Sequence, residues 1–140
     1  MLRATTTALF AICLLAVTAL AQPPQAPAIP NLKGTWQAGE FQLHHKVHGY
    51  IKEQDKQTIL VVTEQNGRVF HGSVTWGGKA PGKDTFSGVI DKDNVSFYLA
   101  GHMEGMRIGK MEGPDAFTFY YVVPGGQNPR AGYVDYKRAK

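Results

Sequence analysis

Residues 57–76, QTILVVTEQNGRVFHGSVTW, hold two runs rich in β-branched and aromatic side chains, 57–65 and 68–76, divided by Asn66-Gly67. Asn-Gly supplies the positive φ values of a type I′ turn, so the spacing predicts two antiparallel strands joined by a two-residue hairpin. Successive strand residues point to opposite faces, which puts Phe70, Val74 and Trp76 on one side. A strand with one apolar face must bury that face against others of its kind. The rest of the chain supplies them.

Downstream, residues 77–82 (GGKAPG) read as a loop and 84–91 (DTFSGVID) as a strand. Asp91-Lys92-Asp93-Asn94 turns the chain into 95–100, and a tight segment near 101–105 leads into 106–111. Gly113-Pro114-Asp115 turns it again into 116–123 (AFTFYYVV); a last loop, 124–129, precedes a final strand at 131–138 (AGYVDYKR). Upstream, 32–37 and 41–51 add two more. Phe86, Gly88 and Ile90 share a face, as do Val95, Phe97 and Leu99, and Phe117, Phe119 and Tyr121. This is an all-β reading: a single antiparallel up-and-down meander of eight or nine strands, with no helix. Eight such strands close naturally into a barrel whose interior is filled by side chains or holds one small ligand. A two-sheet sandwich is the competing architecture.

The N-terminal 21 residues have the form of an export signal. Arg3 gives a positive start, residues 8–17 (ALFAICLLAV) an apolar stretch, and Ala19-Leu20-Ala21 a small-residue cleavage site before Gln22. The apolar run is shorter than the ~20 residues that span a bilayer, so no stable membrane insertion is expected after cleavage, and the protein is expected to be periplasmic or secreted. Residues 22–30 (QPPQAPAIP) form a proline-rich leader that can join neither helix nor central strand. The barrel domain is then 31–140, enough for one core. The one cysteine, Cys13, lies inside the signal, and Ile12 before it does not fit a lipid-attachment site; packing must hold the domain without disulfides. A formal charge of +4 over the full chain comes from interspersed Lys and Arg with no basic block, which argues against a nucleic-acid partner.

Leu32-Lys33-Gly34-Thr35-Trp36 carries a Gly-x-Trp on the first strand. It resembles the opening of lipocalins, avidins and related barrels. The resemblance implies that Trp36, behind Gly34, plugs one barrel end and that a basic residue of the last strand crosses its indole. Arg138 is the natural candidate, with Lys137 in reserve. The run 58–70 (TILVVTEQNGRVF) with Gly72, then 86–90 (FSGVI) and Gly113-Pro114-Asp115, is similar to small exported proteins of Gram-negative bacteria of uncharacterised function. That likeness transfers no catalytic or ligand residue, and the biotin-site pattern of avidins is not recognisable.

Other motifs carry less. Residues 77–83 fit G-x-x-x-x-G-K, but Asp84 stands where Ser or Thr should hold Mg²⁺ and no helix follows, so a phosphate-binding loop is excluded. His44 and His48, placed on one face of a strand over 41–51, would lie ~13 Å apart, too far to share a metal. A site would need His71 or His102 from another strand; no metal site and no cofactor is expected. Gly101, Gly105, Gly109 and Gly113 recur every four residues, which in a β context permits bends and bulges. Glu40, Glu64, Glu104 and Asp135 adjoin apolar strand residues without pairing for acid–base work, and there is no nucleophile elbow and no catalytic cysteine.

The sequence therefore points to a non-catalytic binding module for a small apolar or amphipathic ligand, with Phe70, Trp76, Phe86, Phe97 and Phe119 expected to line the pocket. The alternative is a protein-interaction module, such as a periplasmic protease inhibitor using the 22–30 arm. An enzyme on a barrel scaffold finds no motif in its support.

Overall fold

A computed structural model describes residues 28–78, 81–103, 105–125 and 127–140; the expected signal, 1–21, and all but the end of the expected leader lie outside these. Nine strands follow in order: β1 Gly34–His45, β2 Gly49–Gln54, β3 Ile59–Asn66, β4 Val69–Trp76, β5 Gly82–Ile90, β6 Ser96–Gly101, β7 Met106–Gly113, β8 Ala116–Val123 and β9 Arg130–Arg138. Each pairs antiparallel with its neighbour, and β9 returns to pair with β1 along almost its whole length. The sheet is thereby closed, and among the described residues no second sheet is left to make a sandwich.

Two local expectations are corrected. Residues 41–51 are not one strand. β1 runs unbroken from Gly34 to His45, the chain reverses over 46–48, and β2 returns along β1. β2 and β3 then lie in tandem on the same side of β1, β2 against its C-terminal half and β3 against its N-terminal half. Between them β1 spends two residues, Ala38 and Gly39, while the other side spends four, 55–58. The excess bulges outward and is held by Asp55 N donating to Gly39 O (2.7 Å) and Ala38 N to Thr58 O (3.0 Å). Eight staves therefore form the barrel, one of them made of β2 and β3 together.

The β3–β4 hairpin also turns one residue later than expected. Asn66 pairs with Val69, leaving Gly67-Arg68 as the central pair, and only Gly67 (φ +60°) has positive φ. A glycine at the first central position followed by an ordinary residue is the II′ pattern. Register slips by one between Val62 and Glu64, a bulge that adds twist and curvature.

Inside, large rings face glycines. Phe86 opposes Gly72, Phe70 opposes Gly88, and Phe97 opposes Gly109 across neighbouring strands. A Cβ on Gly72, Gly88 or Gly109 would lie 2.6, 2.2 or 2.1 Å from the facing ring. The missing side chain is what lets each phenylalanine lie over its neighbour's backbone. Phe97 meets Phe70, Phe117 and Phe119 edge-to-face, with centroids 6.0, 5.3 and 5.4 Å away. Rings of this kind contribute roughly 1.5–3 kcal/mol each by burial, plus their edge contacts.

One end of this core is sealed by the Gly-x-Trp strand. Trp36 is fully buried and donates its indole N–H to Leu32 O at 2.8 Å. Arg138 lies with Cζ 4.1 Å from the Trp36 ring centre. Its guanidinium also donates to Asp115 Oδ1 (2.7 Å), Lys33 O (2.9 Å) and Asn31 O (2.8 Å). Gly34, at φ +125°, keeps the space that Arg138 Nη1 uses, since a Cβ there would be 3.2 Å away. Gln65 reaches across to bond Leu32 N and Pro30 O, and Ala139 N bonds Thr35 O, so both ends of the barrel chain meet here.

Candidate functional site

The opposite end of the barrel bears the 46–48 turn, the 55–58 bulge and the long connections after β4, β6 and β8. Here the interior is not filled. A cavity of about 380 Å³ is lined by Phe41 and Leu43 of β1, Asp55 and Thr58 of the bulge, Val74 and Trp76 of β4, and Asp84 of β5. Met103, Arg107 of β7, Tyr121 of β8, and Arg130, Val134 and Tyr136 of β9 complete it. This is within the range of ligand pockets, roughly 300–1,000 Å³. A neighbouring groove of about 420 Å³ shares Phe41, Asp55, Thr58 and Trp76 and runs past residues 53–58 to Gly77 and Gly78.

Of the five residues expected to line a pocket, Trp76 does so, its ring lying over Gly82, where a Cβ would be 2.4 Å from it. Phe70, Phe86, Phe97 and Phe119 do not: they belong to the packed layer between the cavity and Trp36. Four rings that interlock so closely leave no room among themselves, and the space opens only where the rows end in other side chains. Gly34, Trp36 and Arg138 stand at the sealed end, as described above.

The chemistry of the cavity comes from residues that sequence reading passed over. Arg107 and Arg130 hold their guanidinium carbons 4.8 and 5.3 Å from the centre of the Tyr121 ring. Arg130 Nη2 donates to the Tyr121 hydroxyl at 3.1 Å. Arg107 Nη1 is buried and has no hydrogen-bond partner among the described residues. Among the described residues, Asp84 is the buried acidic one, 4% exposed; its Oδ1 accepts from Thr85 N (2.8 Å) and Met103 N (3.1 Å). Asp55 Oδ1 likewise accepts from Gln57 N and Thr58 N, at 2.8 and 2.9 Å. Burial pushes the Tyr136 phenol well above its ordinary pKa, so it stays a neutral hydroxyl in the wall.

Parity along the strands could have found several of these. Extending the face of Phe86, Gly88 and Ile90 back by two gives Asp84, and Tyr121 already ended the row of Phe117 and Phe119. β7 offers no such guide: Arg107 shares its inward side with Gly109 and Met111, and the pattern there carries no apolar alternation.

The other polar candidates lie elsewhere. Glu40 accepts from Gln42 and pairs with Lys52, which holds its carboxyl below the ordinary pKa. Glu64 accepts from Asn66, and Asp135 from Thr118; Glu104 lies outside the described residues. His102, exposed on the outer wall, meets Thr85 Oγ1 (2.7 Å) and Ser87 Oγ (3.1 Å) and stacks on His71 with centroids 6.0 Å apart. His48 is in the turn and not on a strand with His44; its ring lies 4.7 Å from that of His45. Among the described residues, no three His, Cys, Asp or Glu side chains form a group that could hold a metal ion.

No family model matches the chain, and no curated protein matches it. Among solved structures it is similar to a redesigned β-barrel, with a TM-score of 0.51 at 9% identity over 78% of this chain and 92% of that one. At that identity the likeness speaks for the barrel fold alone.

Proposed function

We propose that this protein is an exported, non-catalytic binding module that takes a small amphipathic molecule into the open end of its barrel. The observation that carries the reading is the division of the interior: solid aromatic packing from Trp36 to Phe119, then a hollow of about 380 Å³ with apolar walls and a few polar groups. Pockets that bind small molecules have this composition. Export rests on Arg3, the apolar stretch 8–17 and Ala19-Leu20-Ala21.

A second reading, a protein-interaction module, draws on the outer wall. Val69, Val89, Tyr98, Ile108 and Tyr120 are exposed and sit opposite one another on five consecutive strands, a continuous apolar row.

Native mass spectrometry of protein recovered undenatured from the producing cells separates these. A polypeptide beginning at Gln22 with a reproducible small added mass is the expected result. An added mass of protein size favours the second reading, and a chain retaining residues 1–21 contradicts export.

A further inference from the structure

We propose that the ligand of this cavity carries an anionic head, a carboxylate, received by Arg107 with Tyr121 and Arg130 beside it, while its apolar body lies along Trp76 and Val134. The inference rests on the binding reading above and specifies its ligand class.

Arg107 is the starting point. A guanidinium is charged at every physiological pH and offers five N–H donors in a planar fork. In Arg107 the Nη1 atom is enclosed yet has no acceptor among the described residues, while the side chain as a whole lines the cavity. Leaving a charged donor unmet in a site of low dielectric is unfavourable, and an acceptor that enters the cavity relieves it. The face of Tyr121 offers the cation only its π electrons, at 4.8 Å from Cζ.

Tyr121 strengthens the case through its hydroxyl. Its oxygen already accepts from Arg130 Nη2 at 3.1 Å, so its own proton is available to donate elsewhere. Arg107 and the Tyr121 hydroxyl together present donors, and a carboxylate, which is planar and accepts at both oxygens, matches them.

The acidic residues of the cavity do not supply that acceptor. Asp84 Oδ1 and Asp55 Oδ1 each take two backbone N–H groups and thereby hold the 102–103 and 55–58 segments in place. Among the described residues, no ion pair joins either to Arg107. With Oδ1 of each carboxylate holding a loop, neither carboxylate paired with Arg107, and a guanidinium donor unmet, Arg107 favours an anionic acceptor.

The test uses the mature protein and displacement of a neutral fluorescent probe, N-phenyl-1-naphthylamine, by three molecules that differ only in the head: decanoate, decanol and decylamine at pH 7. Decanoate should displace the probe at about one tenth of the decanol concentration or less, as expected for charge-assisted hydrogen bonds. In Arg107→Gln the ratio of acid to alcohol should fall to about one, and Tyr121→Phe should lower it part of the way. Equal potency of decanoate and decanol in the unaltered protein, or a preference for decylamine, would overturn the carboxylate assignment and leave the cavity reading standing. If neither the probe nor any of the three binds, the cavity reading itself fails and this proposal with it. The comparison in the unaltered protein decides even if Arg107→Gln does not fold.

Discussion

At Gly109 one methyl group separates a packed ring from a clash. Its Cβ would fall 2.1 Å from Phe97, a ring 1% exposed and wedged among three others, so neither the backbone nor the ring can yield cheaply. Gly109→Ala should therefore destabilise the protein by about 1–3 kcal/mol or more, by the usual cost of overpacking. Gly113 offers the contrast, with nothing within 4 Å and no positive φ, and Gly113→Ala should stay within about 0.5 kcal/mol of the parent. Urea unfolding of the two variants checks both, and equal losses would remove the ring-over-glycine account. The four-residue spacing of Gly101, Gly105, Gly109 and Gly113 thus has no common cause. Gly105 takes a positive φ of 77° before β7, Gly113 borders a register slip, and Gly109 makes room for a ring.

Among the elements, the β1–β2 hairpin is closed by a histidine. His45 Nδ1 accepts from Val47 N (3.0 Å) and His48 N (3.3 Å), which closes the turn and requires that nitrogen to be unprotonated. Desolvation, then the neighbouring His48 and Arg130 charges, hold its pKa below the ordinary 6.5. The folded hairpin resists a proton that the unfolded chain accepts. Its stability is complete above about pH 6.5 and is lost progressively as the pH falls from there toward the lowered folded-state pKa. Amide exchange in the turn, corrected for intrinsic rates, should quicken over that window. His45→Asn keeps an acceptor without a titration and should abolish the dependence; an unchanged profile in that variant would contradict the mechanism.

This same hairpin shows where the sequence was hard to read. Strand parity is visible when apolar residues alternate, as from Phe70 to Trp76 and from Phe117 to Tyr121, and there the inward faces agree with the structure. Residues 41–51 contain no glycine or proline pair at the reversal, only Lys46-Val47-His48 before Gly49, so local turn chemistry did not mark it. The closing acceptor is a histidine side chain, which turn propensities do not weigh. For the cavity, parity pointed inward correctly but could not tell a ring that packs from one that lines a hollow. That distinction depends on how far along the barrel each row reaches, a tertiary property.

For the molecule as a whole, the seam between β1 and β9 decides closure, and Arg138 is its fastening at the sealed end. Replacing it by Met removes donors to Asn31, Lys33 and Asp115 together with the charge over Trp36, and should cost about 2 kcal/mol or more. Asp115 is 72% exposed, and Asp115→Asn should cost less than about 1 kcal/mol, as surface ion pairs do. Thermal unfolding of the pair measures both; a loss in Asp115→Asn equal to that in Arg138→Met would reduce the fastening to a simple ion pair.

Closure has a further consequence. Because Ala139 bonds Thr35 and Arg138 bonds Asn31, the strands form a ring in which no member is first, and the break between β9 and β1 is a property of the gene more than of the fold. A permuted chain, with residues 31 and 139 joined by a few flexible residues and new ends opened between Gly77 and Gly78, would keep every ladder intact. It should melt in one transition, and its new ends would stand at the rim of the cavity, where a reporter group could sense what enters.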